Sequence, residues 1–135
     1  MNFKVEHIGI AVKDINQSIA LYESLLNTPC YKTENVESEA VTTAFFQKGE
    51  TKIELLANTI TGGVIEKFIE KKGEGIHHLA FAVSDIFAEM TRLSNAGFVL
   101  LQDQPKKGAD NKLVCFLHPK STNGVLIELC QEIID

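Results

Sequence analysis

The chain has 135 residues, 44% of them hydrophobic and 23% charged, with a formal net charge of −5 and a pI near 5.4. That composition supplies the core of one ordinary domain and excludes an intrinsically disordered chain. The acidic balance argues against nucleic acid as the main partner, because phosphate contacts need a basic surface. No run of about 18 apolar residues offers a membrane span. The opening MNFKVEHIGI lacks the apolar stretch and small-residue cleavage site of a secretory signal. The three cysteines, Cys30, Cys115 and Cys130, do not read as a disulfide framework. Cys115 and Cys130 stand in apolar runs and are expected as buried thiols, which fits a reducing cytoplasm.

In chain order, residues 4–12 alternate as a strand. Asp14 is placed to cap a helix, with Gln17 at the capping-box position. Ile15, Ile19, Tyr22, Leu25 and Leu26 follow at helical spacing, and Pro29 is expected to stop the helix. Strands are predicted near 29–36 and 41–48, then a tight KGET turn and the strand KIELLA. A short helix over 63–72 carries Val64, Ile65, Phe68 and Ile69, with Gly73 suited to its C-terminal cap. The pattern then restarts. IHHLAFAV reads as a strand, and Asp85 caps a helix bearing Ile86, Met90 and Leu93 that Gly97 ends. FVLL, KLVCFLH and GVLIELC are predicted as the remaining strands.

The restart is a repeat. EHIGIAVKDI at 6–15 and HHLAFAVSDI at 77–86 share His7/His78, Ala11/Ala82, Val12/Val83, Asp14/Asp85 and Ile15/Ile86. The closing strands share Ile-Glu-Leu, at 53–55 and at 127–129. Two duplicated half-domains follow, each strand–helix–three strands, with modules near 1–60 and 74–135 in one domain over 1–135. Strand parity puts His7 with Gly9 and Ala11, and His78 with Ala80 and Ala82. The bulky residues, Ile8, Ile10 and Val12 or Leu79, Phe81 and Val83, face the other way and suit packing on the following helix. His77 falls on that packing face and reads as structural, or as a support behind the ligands rather than a ligand itself. Glu54 and Glu128 interrupt apolar strands, where a carboxylate needs a partner. Two histidines and two glutamates, one pair from each half, form a plausible ligand set for a divalent ion such as Zn, Co, Ni, Fe or Mn.

These segments resemble the vicinal oxygen chelate superfamily, which includes glyoxalase I, extradiol dioxygenases and bleomycin-resistance proteins. VEHIGIAVKDI, GETKIELLA, GEGIHHLAF and FLHPKSTNGVLIEL are most similar to the methylmalonyl-CoA epimerase family within it. The resemblance implies an α+β fold of two tandem βαβββ modules, forming a U-shaped mixed sheet around a metal. It implies metal ligation by His7, His78 and Glu128, with Glu54 at the fourth ligand position. The implied activity interconverts the 2R and 2S forms of methylmalonyl-CoA by proton abstraction at C2, through an enolate. Glu128 is then both ligand and base. Lysines cluster at Lys106, Lys107, Lys112 and Lys120; Lys120 and Ser121, in HPKST, are the candidates for substrate contact, Lys106 and Lys107 read better as a solvated loop, and His118 as structural. A homodimer is implied as well.

The sequence departs from the family at an acid/base position, and again at 108–112, which reads GADNK where the family often has GAHGK. Some members carry an acid/base glutamate on the third strand of the first half, and that position falls on Thr43. Glu54, Glu39 or a water on the metal remain open as the second group. Two other readings stand beside the epimerase. One is a glyoxalase I-like lactoylglutathione lyase, to which the same ligands apply. The other is a metal-independent small-molecule-binding protein, against which retention of the four ligands counts.

Overall fold

The computed structural model describes residues 2–134. The chain divides into two compact units. His7–His77 form one, here the N-unit; the residues from His78 onward, with those up to Glu6, form the C-unit.

The N-unit contains most of β1 (Lys4–Ala11), then α1 (Ile15–Leu26), β2 (Lys32–Val36), β3 (Val41–Lys48), β4 (Thr51–Asn58) and α2 (Val64–Lys72). Its strands are ordered β2-β3-β4-β1, antiparallel except for the parallel β1–β4 pair. The Asp14 carboxylate accepts from the Gln17 N–H at 3.0 Å, so the predicted cap is in place. The helix ends earlier than Pro29 suggests. Asn27 adopts the left-handed conformation (φ 50) and its N–H reaches back to the Glu23 carbonyl. Of the five apolar residues at helical spacing, Leu25 stands in solvent, 69% exposed. Ile15, Ile19, Tyr22 and Leu26 do pack, against Val12, Ala44, Phe46, Leu55 and Ala57. β2 begins at Lys32, three residues later than predicted. β3 and β4 join through Gly49-Glu50, with Gly49 at φ 73. A glycine first in a two-residue loop takes that positive φ without penalty and fixes Lys48 opposite Thr51.

The C-unit repeats the plan with most of β5 (Gly75–Ala82), then α3 (Ile86–Asn95), β6 (Lys106–Lys107), β7 (Lys112–Leu117) and β8 (Ile127–Glu132), ordered β5-β8-β7-β6. The Asp85 carboxylate caps α3 by accepting from the Ala88 N–H at 3.1 Å. Ile86, Met90 and Leu93 pack with Val83, Cys115, Leu117 and Leu129 as the second core. Equivalent backbone bonds close both units: the Val12 N–H donates to the Leu56 carbonyl and the Val83 N–H to the Cys130 carbonyl, both at 2.9 Å.

The FVLL stretch is not a strand. It contributes one bridge, Leu100 to Leu117, flanked by a Leu101 N–H bond to the Phe116 carbonyl. The Gln102 side chain then accepts the Phe116 N–H at 2.8 Å, so a side-chain amide satisfies an amide that a longer strand would have paired. The named strand there is Lys106–Lys107 instead. All three cysteines are free thiols, with Cys115 and Cys130 buried as expected. Among the described residues, no helix is long and apolar enough to cross a membrane.

Candidate functional site

Register decides which side chains share a face. On β1 and β4 the partners are Gly9 with Glu54 and Ala11 with Leu56. On β4 and β3 they are Glu54 with Phe45 and Leu56 with Thr43. On β3 and β2 they are Phe45 with Lys32 and Thr43 with Glu34. Directly paired residues point the same way. One face of the N-unit sheet therefore carries two neighbouring rows. The first is Gly9, Glu54, Phe45 and Lys32; the second is Ala11, Leu56, Thr43 and Glu34. His7 lies on the same face, two residues before Gly9. The opposite face holds Ile10, Ala44, Phe46, Ile53 and Leu55 against α1, as parity predicted.

On this small-residue face His7 and Glu54 meet. The His7 Nε2 lies 3.0 Å from the Glu54 Oε1, and the residues are 6% and 4% exposed. Glu54 has Gly9 as its register partner on one flank and Phe45 on the other.

The C-unit builds the same pair from its own residues. The His78 Nε2 lies 3.0 Å from the Glu128 Oε1, at 4% and 6% exposure. Ala80 is the register partner of Glu128 on β5, and Phe116 its partner on β7. The Phe116 ring meets the His78 ring edge-on at 5.9 Å. Sequence reading missed both phenylalanines. The KGET hairpin held the signal for one of them, since a two-residue loop sets Phe45 opposite Glu54.

The donor chemistry fits a metal. Each unit buries an imidazole nitrogen and a carboxylate oxygen side by side, where an unpartnered carboxylate is expensive. Two ligand atoms about 2.1 Å from an ion and at right angles to it stand about 3.0 Å apart. The observed spacing in each pair matches such an edge. Mixed nitrogen and oxygen donors suit first-row divalent ions.

The other sequence candidates are placed as follows. His77 stacks edge-on with Phe68 of α2 at 4.9 Å, a packing role. His118 accepts the Lys120 N–H on its Nδ1 at 3.0 Å, capping the turn at Pro119–Ser121. The Ser121 hydroxyl donates to the His118 carbonyl at 2.9 Å and accepts the Val99 N–H at 3.3 Å, so it braces that turn. Lys120 is exposed. The Lys112 ammonium lies 4.0 Å from Glu6. Thr43 is 1% exposed, and its hydroxyl donates to the Glu34 carbonyl at 3.3 Å. Glu39 sits beyond β2 in a single 3-10 turn. The Cys115 thiol is pushed up to about 11 by burial, a bond with Gln102 acting in the opposite direction.

The paired modules and the two buried histidine–glutamate pairs define a class. The chain belongs to the glyoxalase/bleomycin resistance protein/dioxygenase superfamily, whose sequence profile matches residues 6–116. Within it the chain is similar to epimerases of acyl-CoA substrates. It is 41% identical to the ethylmalonyl-CoA/methylmalonyl-CoA epimerase of Cereibacter sphaeroides over 95% of this chain and 97% of that protein. A variant of Streptomyces coelicolor methylmalonyl-CoA epimerase in complex with 2-nitronate-propionyl-CoA superposes with a TM-score of 0.94 at 30% identity, covering 99% of this chain and 100% of that one. Mycobacterium tuberculosis methylmalonyl-CoA epimerase gives a TM-score of 0.92 at 33% identity, over 96% and 88%.

Proposed function

We propose that this protein is a methylmalonyl-CoA epimerase, an isomerase that interconverts the 2R and 2S forms of its acyl-CoA substrate. The observation that carries the reading is the duplicated buried His–Glu pair, in a chain 41% identical to a named epimerase. The pairs His7–Glu54 and His78–Glu128 are proposed as the ligands of one divalent ion, Co, Zn, Mn, Ni or Fe. When bound, that ion supplies Lewis-acid stabilisation of the charge that develops on the substrate oxygens.

The chain's own residues do the rest. The C2 hydrogen lies between a thioester and a carboxylate and is acidic for a carbon acid. Glu128 is proposed to take or return it, the C–H electron pair moving onto the thioester oxygen as an enolate forms. Inversion needs a second acid/base group on the opposite face of C2. Glu54 is the repeat-related candidate, since its carboxylate stands in the N-unit where Glu128 stands in the other. Lys120 and Ser121 are proposed at the substrate's side of the site. The protein is proposed to work as a homodimer in the cytoplasm.

The test is solvent deuterium incorporation at C2 of methylmalonyl-CoA by metal-loaded protein, beside a His78→Ala control. Incorporation with racemisation, reduced at least about 100-fold in the control, is expected for acid–base catalysis at this site. Metal-loaded protein that gives no exchange refutes the epimerase reading and directs attention to glutathione hemithioacetals.

A further inference from the structure

The two units flank their glutamates with the same kinds of residue but do not cover them equally. In each, the glutamate pairs with a small residue on one side and a phenylalanine on the other: Gly9 and Phe45 for Glu54, Ala80 and Phe116 for Glu128. Phe45 is 1% exposed, and the Lys32 ammonium stands 5.7 Å from its ring centre. Phe116 is only half-buried. It packs on Ala80, Val114 and Cys130, all buried, and its ring meets the His78 ring edge-on at 5.9 Å. Beside the C-unit pair, then, stands an aromatic ring that is held in place by its neighbours and still keeps accessible apolar surface.

We infer that the alkyl group on C2 of the substrate rests on the Phe116 ring, and that the size of this side chain sets which alkyl groups are accepted. The inference rests on the epimerase reading, with Glu128 as a base, and names the specificity residue of that site. It uses the C-unit alone. Paired side chains on adjacent antiparallel strands have Cβ atoms about 4.5–5.5 Å apart, so the Phe116 ring adjoins the Glu128 carboxylate. A carbon that gives its proton to that carboxylate carries its other substituents into the same neighbourhood.

The chemistry of C2 selects the substituent. Its hydrogen goes to Glu128. Its carboxylate and its thioester carbonyl carry oxygens that need polar partners. The alkyl group alone gains by leaving water. Of the two residues paired with Glu128, Ala80 is 0% exposed, and Phe116 is the one with apolar surface to offer. A flat, rigid ring makes a floor of fixed height, so a longer alkyl group gains room only when that floor recedes.

The experiment measures kcat/KM for epimerisation of methylmalonyl-CoA and of ethylmalonyl-CoA by metal-loaded wild type, Phe116→Leu and Phe116→Trp. The readout is the ratio of the ethyl to the methyl substrate. One methylene in an apolar pocket is worth about 10- to 200-fold, so the ratio is expected to be at least about tenfold higher in Phe116→Leu than in Phe116→Trp, with wild type between them. A ring with a merely structural role lowers both substrates together when it is replaced. Damage to the His78–Glu128 pair does the same, and neither moves the ratio. A spread below about tenfold, or one in the opposite order, overturns the inference. If Phe116→Trp melts well below wild type, Phe116→Leu is set against wild type instead. A rise in the ratio of at least about threefold then supports the inference, and a smaller one overturns it. Phe45→Leu, at the repeat-equivalent position, is expected to shift the ratio less than Phe116→Leu, because that ring is covered; an equal or larger shift there overturns the assignment to Phe116. A wild type that epimerises neither substrate fails before any variant is compared, and that result refutes the epimerase reading itself.

Discussion

Substituting Glu54 by glutamine keeps the size of a side chain that is 4% exposed and removes only its charge. The effect is read as metal-dependent stability. An ion that binds only the folded protein stabilises it by RT ln(1 + [L]/Kd), about 2.7 kcal/mol at 100 times Kd. For a chain of 135 residues the unfolding entropy is roughly 0.28 kcal/mol/K, so that stabilisation raises Tm by about 10 °C. Even outer partners of metal ligands are worth 10- to 100-fold in affinity, and a direct ligand at least as much. A 100-fold loss leaves the variant half-saturated under the same conditions, with about 0.4 kcal/mol and a rise of only 1–2 °C. The assay is differential scanning calorimetry of apo protein, wild type and Glu54→Gln, titrated with Co or Zn salts. Without added metal the two proteins are expected to melt within a few degrees of each other, because the amide still meets His7. An equal metal-induced rise in both proteins refutes Glu54 as a ligand. No rise in wild type refutes the metal site as a whole.

Asp14→Ala and Asp85→Ala each remove a side-chain acceptor from the first turn of a helix. Each is expected to cost about 1 kcal/mol, or roughly 3–4 °C in Tm, and the pair to add, since the caps serve separate helices; urea melts monitored by circular dichroism check this. Thiol labelling at pH 8 is expected to modify Cys30 alone in the native protein and all three cysteines in denaturant. Burial raises the folded pKa of Cys115 from 9.0 to about 11, so the folded state holds its proton more tightly than the unfolded one. The resulting stability is complete below pH 9 and lost as pH rises through about 11. Cys115→Ser, compared with wild type in melts at pH 8 and pH 11, is expected to flatten that decline.

The repeat made much of this protein legible in one dimension. Equivalent histidines, cap aspartates and Ile-Glu-Leu strands announced two modules, because the same local physics has to be written twice. Caps are local too: Asp14 and Asp85 bond to amides three residues on, and each did so where the spacing predicted. Parity separated the histidine face from the helix-packing face correctly, because side chains in a strand can only alternate.

What periodicity could not reach was pairing between strands. Leu25 has the spacing of a core residue yet stands in solvent, since only the position of a neighbouring sheet decides which edge of an apolar stripe is covered. FVLL has strand composition, but the Gln102 amide takes the hydrogen bond that would have extended its ladder. The Ser121 hydroxyl spans the turn between His118 and Val99, a pairing over 22 positions that no local spacing announces. The link between β2 and β3 passes through a 3-10 turn that fixes no register in advance. The sequence alone determined which residues each strand turns to the same face. Which of them stand side by side was decided by long-range hydrogen bonding between strands, which carries no local periodicity.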